Sequence, residues 1–144
     1  TDNVKIILDK EKDAKLDDIN TYKIFSNKVS LSKQKLNNFF LLCKQSNKTI
    51  IGYGAPAKGN TLLNFCKIDS TMLSYTVDKS IQKQGLYLPG THIPIKSPEE
   101  IKKSKPDYLL ILPWNLQNEI MSEMNYIRDW GGKFVIPIPE VKII

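Results

Sequence analysis

The chain has 144 residues, 41% hydrophobic and 25% charged, with a net charge of +6. That is the make-up of one ordinary globular domain with a real core, and it excludes a disordered or low-complexity chain. The surplus lysines (Lys28, Lys33, Lys35, Lys44, Lys48, then Lys102, Lys103 and Lys105) are scattered and not interleaved with aromatic residues. They read as solvated faces or as attraction for a small anion, and no nucleic-acid partner is expected.

In chain order, Val4–Leu8 is expected to be a short strand, and the charged stretch Asp9–Asn20 a linker. Phe25, Val29, Leu36, Phe39, Phe40 and Cys43 recur at helical spacing and predict an amphipathic helix with lysines on its other face. Ile50-Ile51 opens a buried strand that runs into Gly52-Tyr53-Gly54-Ala55-Pro56-Ala57-Lys58-Gly59, and an apolar helix follows to Cys66. Met72–Val77 reads as a second strand ending at Asp78. Residues 79–91 form a loop with Gly85, Pro89 and Gly90, and His92–Ile95 is a short extended piece. Ser97-Pro98-Glu99-Glu100 reads as a helix start, with Ser97 as cap and Glu100 closing a capping box. Tyr108–Leu112 is a continuous apolar run, as in a strand covered on both faces. Asn115 is placed to cap a helix lined by Leu116, Ile120, Met124 and Ile127, which Gly131-Gly132 ends, and Phe134–Ile138 is the last strand.

Strands alternating with helices predict an α/β fold: a Rossmann-like three-layer αβα domain with a mostly parallel sheet, preceded by an amphipathic helix. Ligands of such sheets bind outside the carboxyl ends of the strands. Here those ends are Gly52–Gly59, Asp78–Ser80 and Pro113–Asn115. Gly52, Gly54 and Ala57 fit the G-x-G-x-x-G/A spacing of a dinucleotide-type turn, with Asp78 about 20 residues on, where such folds place a ribose-binding acid. Glycines let a backbone approach a ligand, and helix-start N–H groups favour an anion, although Pro56 removes one donor.

Lys58 is the foremost candidate, suited to a diphosphate. Asp78 either accepts hydrogen bonds from a sugar hydroxyl or caps the loop after its strand. Asn60 and Thr61 are candidate phosphate donors or helix caps. Tyr53, Tyr87 and Trp114 lie near strand ends and are candidates for stacking on a base, Tyr53 first among them. Lys83, Gln84 and Gly85 sit in a loop long enough to suggest function. His92, the sole histidine, reads as a structural or substrate-contact group rather than an acid or base. Cys43 and Cys66 sit in apolar helical contexts and read as core thiols of a reducing, cytoplasmic compartment. No zinc-site spacing, signal peptide or membrane-length apolar run is present, so neither a bound metal nor a membrane partner is expected. The chain starts at Thr1, which suggests a piece of a longer protein.

Gly52–Asn64, Val77-Asp78, Lys83–Pro94, Pro106–Tyr108 with Leu112–Asn115, and Gly131–Phe134 with Pro137–Glu140 resemble the signature of the C-methyltransferase C-terminal domain over nearly the whole chain. The resemblance implies sugar C-methyltransferases, which carry an N-terminal zinc-binding domain, a central S-adenosylmethionine-binding domain and a Rossmann-like C-terminal domain. The last of these is thought to hold the nucleotide-sugar. It implies that residues 1–24 are a leftover strand and linker from the upstream methyltransferase domain, and residues 25–144 the C-terminal domain. The expected partners are then a nucleotide-linked sugar and the chain's own upstream domain. The implied substrate-binding set is Tyr53, Gly54, Ala55, Pro56, Lys58, Gly59, Asn60, Thr61, Asp78, Lys83, Gln84, Gly85, His92, Trp114 and Asn115. The zinc ligands, the methyl-donor site and the base are implied to lie upstream. No catalytic residue is assigned here, and the fragment alone is expected to be inactive. The competing reading is a stand-alone NAD- or nucleotide-binding module, supported by the G-x-G-x-x-A turn with Asp78.

Overall fold

A computed structural model describes residues 2–144. It divides into two units, one ending at Leu31 and the other running from Ser32 to Ile144.

The first unit is helical. Helix α1 spans Asp2–Asp13 and no residue of it is buried. The predicted strand at Val4–Leu8 is therefore a helix. Ile6, Ile7 and Leu8 are contiguous rather than alternating, and the Asp9–Asp13 run supplies helix formers with lysines in the last turn, which the helix dipole favours. Helix α2 spans Ile19–Gln45, so it starts six residues before Phe25 and takes up part of the expected linker. Asp18 accounts for the early start: its carboxylate accepts the Asn20 N–H at 2.8 Å, which is N-cap chemistry.

The second unit is built on a six-stranded sheet. Strands β1 (Ile50–Tyr53), β2 (Thr76–Val77), β3 (Ile95–Lys96), β4 (Tyr108–Ile111), β5 (Lys133–Ile136) and β6 (Lys142–Ile143) take the order β3-β2-β1-β4-β5-β6. All pairs are parallel except β5 with β6. This is the doubly wound order, with its switch point between β1 and β4. Helices α3 (Ala57–Cys66), α4 (Glu99–Ser104) and α5 (Gln117–Glu123), with two 3-10 segments at Trp114–Leu116 and Asn125–Trp130, form the connections.

Period two divides each apolar run between the two faces of the sheet. Ile50, Leu110, Leu112 and Val135 pack with Leu36, Phe39, Phe40 and Cys43 of α2 and with Leu63 and Cys66 of α3. Ile51, Leu109, Ile111, Phe134 and Ile136 pack on the other side with Ile101 of α4, Ile120 of α5 and Ile127. The fold is thus the Rossmann-like three-layer sandwich read from the sequence.

Several details differ from expectation. β2 is only two residues long, because Asp69 turns the preceding segment: its side chain accepts the Thr71 N–H and hydroxyl, and its carbonyl the Leu73 N–H. Ser97 closes no capping box. Its hydroxyl bonds the Glu99 carboxylate, and α4 begins at Glu99 with no side-chain cap. Asn115 caps no helix, and Leu116 stays 46% exposed while Ile120, Met124 and Ile127 are buried. β5 ends at Ile136, before Pro137, and β6 follows it as an antiparallel edge strand absent from the sequence reading.

Candidate functional site

The carboxyl ends of β1, β2 and β4 come together as the alternating pattern requires. Gly54 leaves β1 at φ +88°, a left-handed conformation that favours glycine, and a Cβ there would lie 2.6 Å from Pro113 Cδ. The turns after β1 and β4 therefore pack directly on one another. Gly59 serves the helix side: a Cβ on it would lie 2.8 Å from Leu112 Cβ. The close helix–strand packing that the fingerprint gives to its third position falls here on Gly59, not on Ala57. Thr76 fixes the turn from below, its hydroxyl donating to the Gly54 carbonyl at 2.7 Å. Nothing in the sequence marks this threonine out from other strand residues.

Asp78 is the organiser of this edge. One carboxylate oxygen accepts the Ala55 N–H at 2.7 Å and the Lys83 ammonium at 3.2 Å, and the other accepts the Ser80 N–H at 2.8 Å. Burial pushes the Asp78 pKa up, but the N–H groups of Ser80 and Ala55 and the lysine outweigh it and hold the carboxyl below its usual range. Lys83 also donates to the Ala55 carbonyl at 3.1 Å, and Gln84 Nε2 donates to the Asp78 carbonyl at 2.9 Å. The 79–91 loop is thereby tied to the β1 turn. Of the two roles left open for Asp78, the structure shows the loop-organising one. Three of its roughly four acceptor positions are occupied.

Lys58 lies in the first turn of α3. Its ammonium bonds Asn115 Oδ1 and sits 4.6 Å from the centroid of the Trp114 ring. Lys58, Trp114 and Asn115 therefore meet across the β1–β4 switch. Pro56 precedes the helix in extended conformation, and Ala57, Lys58 and Gly59 contribute the opening N–H groups, which lack intrahelical acceptors. Asn60 and Thr61 are not caps. They lie inside the helix, where Asn64 Nδ2 donates to the Asn60 carbonyl and Thr61 Oγ1 donates to the Ala57 carbonyl.

Tyr53 is only 5% exposed, and burial, with Glu123 and Asp78 nearby, pushes its phenol up to about 12. Its ring belongs to the core, so the first place among candidate stacking groups passes to the half-buried Trp114, with Tyr87 63% exposed. Sequence reasoning missed Glu123, which takes the Lys79 ammonium at 2.6 Å beside this edge. Gly85 donates its N–H to the Ile95 carbonyl, and His92 stands exposed at φ 55° with its N–H on the Leu88 carbonyl. Among the described residues no hydrogen bond or ion pair links either of them to the Lys58–Asn115 group. No group of three His, Cys, Asp or Glu side chains among the described residues is placed to hold a metal ion. No helix there is long and apolar enough to cross a membrane.

Comparison with known proteins adds three findings. The family described as the C-methyltransferase C-terminal domain matches residues 1–139. A curated relative, the C-methyltransferase NovU of Streptomyces niveus, is 43% identical over 97 residues, 67% of this chain, which span 23% of that relative's length. The solved structure of UDP-D-quinovosamine 4-dehydrogenase from Vibrio fischeri superposes with a TM-score of 0.47 at 16% identity, over 67% of this chain and 93% of that one.

Proposed function

Since the chain belongs to the C-methyltransferase C-terminal domain family, we propose that it is the nucleotide-sugar-holding part of an S-adenosylmethionine-dependent sugar C-methyltransferase. The observation that carries this reading is the convergence of Lys58, Trp114 and Asn115 at the sheet's switch point, beside the opening N–H groups of α3. A diphosphate there meets the N–H groups of Ala57 and Lys58 and the Lys58 ammonium, which exchanges Asn115 for a phosphate oxygen. The Trp114 ring offers its free area to the base. S-adenosylmethionine, held elsewhere in the longer protein, supplies the electrophilic methyl group. The chain's own part is to orient the sugar so that a carbon beside a carbonyl presents itself for deprotonation and methylation.

Asp78 is not the base in this reading. A carboxylate with three donors, held below its usual range, is the opposite of a proton acceptor poised near neutrality. The base and the methyl-donor site are assigned to the remainder of the protein, which in the NovU relative amounts to most of the chain. That remainder is also the proposed macromolecular partner.

Thermal-shift and calorimetric titration of the 144-residue chain tests the reading. Uridine and thymidine diphosphate sugars are expected to stabilise it in proportion to ligand concentration, because they bind only the folded state. NAD and S-adenosylmethionine are expected not to. Saturable binding of either of these in place of the diphosphate sugars overturns the assignment.

A further inference from the structure

The sheet has a second opening, at the edge opposite the one described above. Thr49 precedes β1, Ser74 and Tyr75 precede β2, and Pro106 precedes β4. Together with the last turns of α2 they line an open cavity of about 490 Å³. That volume lies within the range of small-molecule sites, roughly 300–1,000 Å³. Its position is unusual, since ligands of open α/β sheets bind at the carboxyl ends of the strands.

The lining divides into an apolar body and a polar rim. Phe40, Cys43, Ile50, Ile51 and Met72 form the body. Most of the rim's polar groups are already engaged. The Lys48 ammonium lies 2.8 Å from Asp107 Oδ1, and Thr49 gives its N–H and hydroxyl to Asp107 Oδ2. Thr71 bonds Asp69, and the Tyr75 hydroxyl donates to Ser104 Oγ at 2.7 Å. Two rim groups are left without partners among the described residues: the Lys44 ammonium and the Ser74 hydroxyl. The positive charge at the mouth is therefore uncompensated at Lys44, above an apolar interior.

We propose that this cavity binds a small amphipathic carboxylic acid, its apolar ring or short chain against Phe40, Ile51 and Met72 and its carboxylate at Lys44 and Ser74. The site is independent of the switch-point crevice: none of its lining residues is among those that meet Gly54, Asp78 or Trp114. An occupant there touches the entries of β1, β2 and β4, at the end of the sheet opposite the crevice, so it is a ligand distinct from the nucleotide.

The test is a titration of the 15N-labelled 144-residue chain with 4-phenylbutyrate, and in parallel with the neutral 4-phenyl-1-butanol, followed by amide chemical shifts. The acid is expected to give saturable shifts at Lys44 and at residues 71–75, with none at residues 54–58. The alcohol is expected to bind at the same place roughly three- to fivefold more weakly, the size of one exposed charge contact. Lys44→Gln is expected to remove that difference. Ser74→Trp, which fills the mouth, is expected to abolish the shifts for both probes. Equal affinity of acid and alcohol overturns the assignment of the carboxylate to Lys44. Absent or unsaturable shifts at residues 71–75, or saturable shifts at residues 54–58 instead, overturn the site. Shifts of the same amides that depend on protein concentration without added probe identify a second copy of the chain as the occupant, and this too overturns the proposal.

Discussion

Replacing Asp78 by alanine is expected to cost more stability than any other single polar change at the carboxyl edge. The side chain is only 14% exposed and accepts two backbone N–H groups, from Ala55 and Ser80, at 2.7 and 2.8 Å. Each charge-assisted bond contributes about 1.5 kcal/mol net. The Lys83 partner is 43% exposed, so solvent screening limits that ion pair to less than about 1 kcal/mol. The sum is a loss of about 2–4 kcal/mol, which lowers a urea midpoint by roughly 1–2 M for a domain of this size. Asp78→Asn keeps one acceptor oxygen and is expected to lose about half as much. Because folding holds the Asp78 carboxyl below its unfolded value of about 3.9, the unfolded chain takes up the proton first as pH falls. The carboxylate's contribution is therefore full above that value and is lost as pH drops through the folded pKa. Urea melts of both variants and the parent at pH 7, 5 and 3 provide the measurement. A midpoint shift under about 0.3 M at pH 7, or a gap between parent and Asp78→Asn that widens toward pH 3, refutes the organiser role.

Three further outcomes are expected. Lys58→Ala weakens binding of a diphosphate sugar by roughly tenfold or more, measured by calorimetry, while moving the urea midpoint little, because the partners of its ammonium are the exposed Asn115 side chain and the half-buried Trp114 ring. Gly54→Ala destabilises by about 2 kcal/mol or more in the same melts, because the left-handed φ and the Pro113 ring both oppose a Cβ. Cys43, whose thiol burial and the nearby Asp107 push up to about 11, is expected to resist iodoacetamide at pH 8, where about one molecule in a thousand carries the thiolate, until urea unfolds the chain. Mass spectrometry of the alkylated peptides reads this directly.

The parts of the fold that were legible are those in which pattern and burial coincide. Leu36, Phe39, Phe40 and Cys43 recur at helical spacing, and all four are buried. The apolar run at Tyr108–Leu112 becomes a central strand whose residues alternate between the two core layers. The illegible parts lack such coincidence. Val4–Leu8 is apolar without being buried, so its composition resembles a strand while its charged continuation makes a helix. β6 is two exposed residues after Pro137 and Pro139, too short for any period to appear. At the candidate site, Gly54 and Asp78 lie together at the carboxyl edge, where Asp78 accepts the N–H of Ala55. Their spacing could not disclose that Lys83, contributed by a separate loop, would compete for the same carboxylate, because that contact depends on where the loop folds back. The N-cap expectation for Asn60 and Thr61 failed because the helix already begins at Ala57, directly after the extended Pro56, which puts both residues inside it with no side-chain cap at its start.

The shape of the sheet has a consequence for how the domain behaves in a crowded solution. Its central strands, β1, β4 and β5, are four residues long, and the outermost strands, β3 and β6, are two. Each outer strand carries a lysine, Lys96 on one side and Lys142 on the other. A neighbouring molecule seeking to add a strand would find a ladder of two residues, a charged side chain, and on the β6 side a run interrupted by prolines, against the longer, flatter edges that recruit strands from other chains. The taper confines backbone pairing to the molecule itself, so fibril-like growth from either margin has almost no template on which to begin.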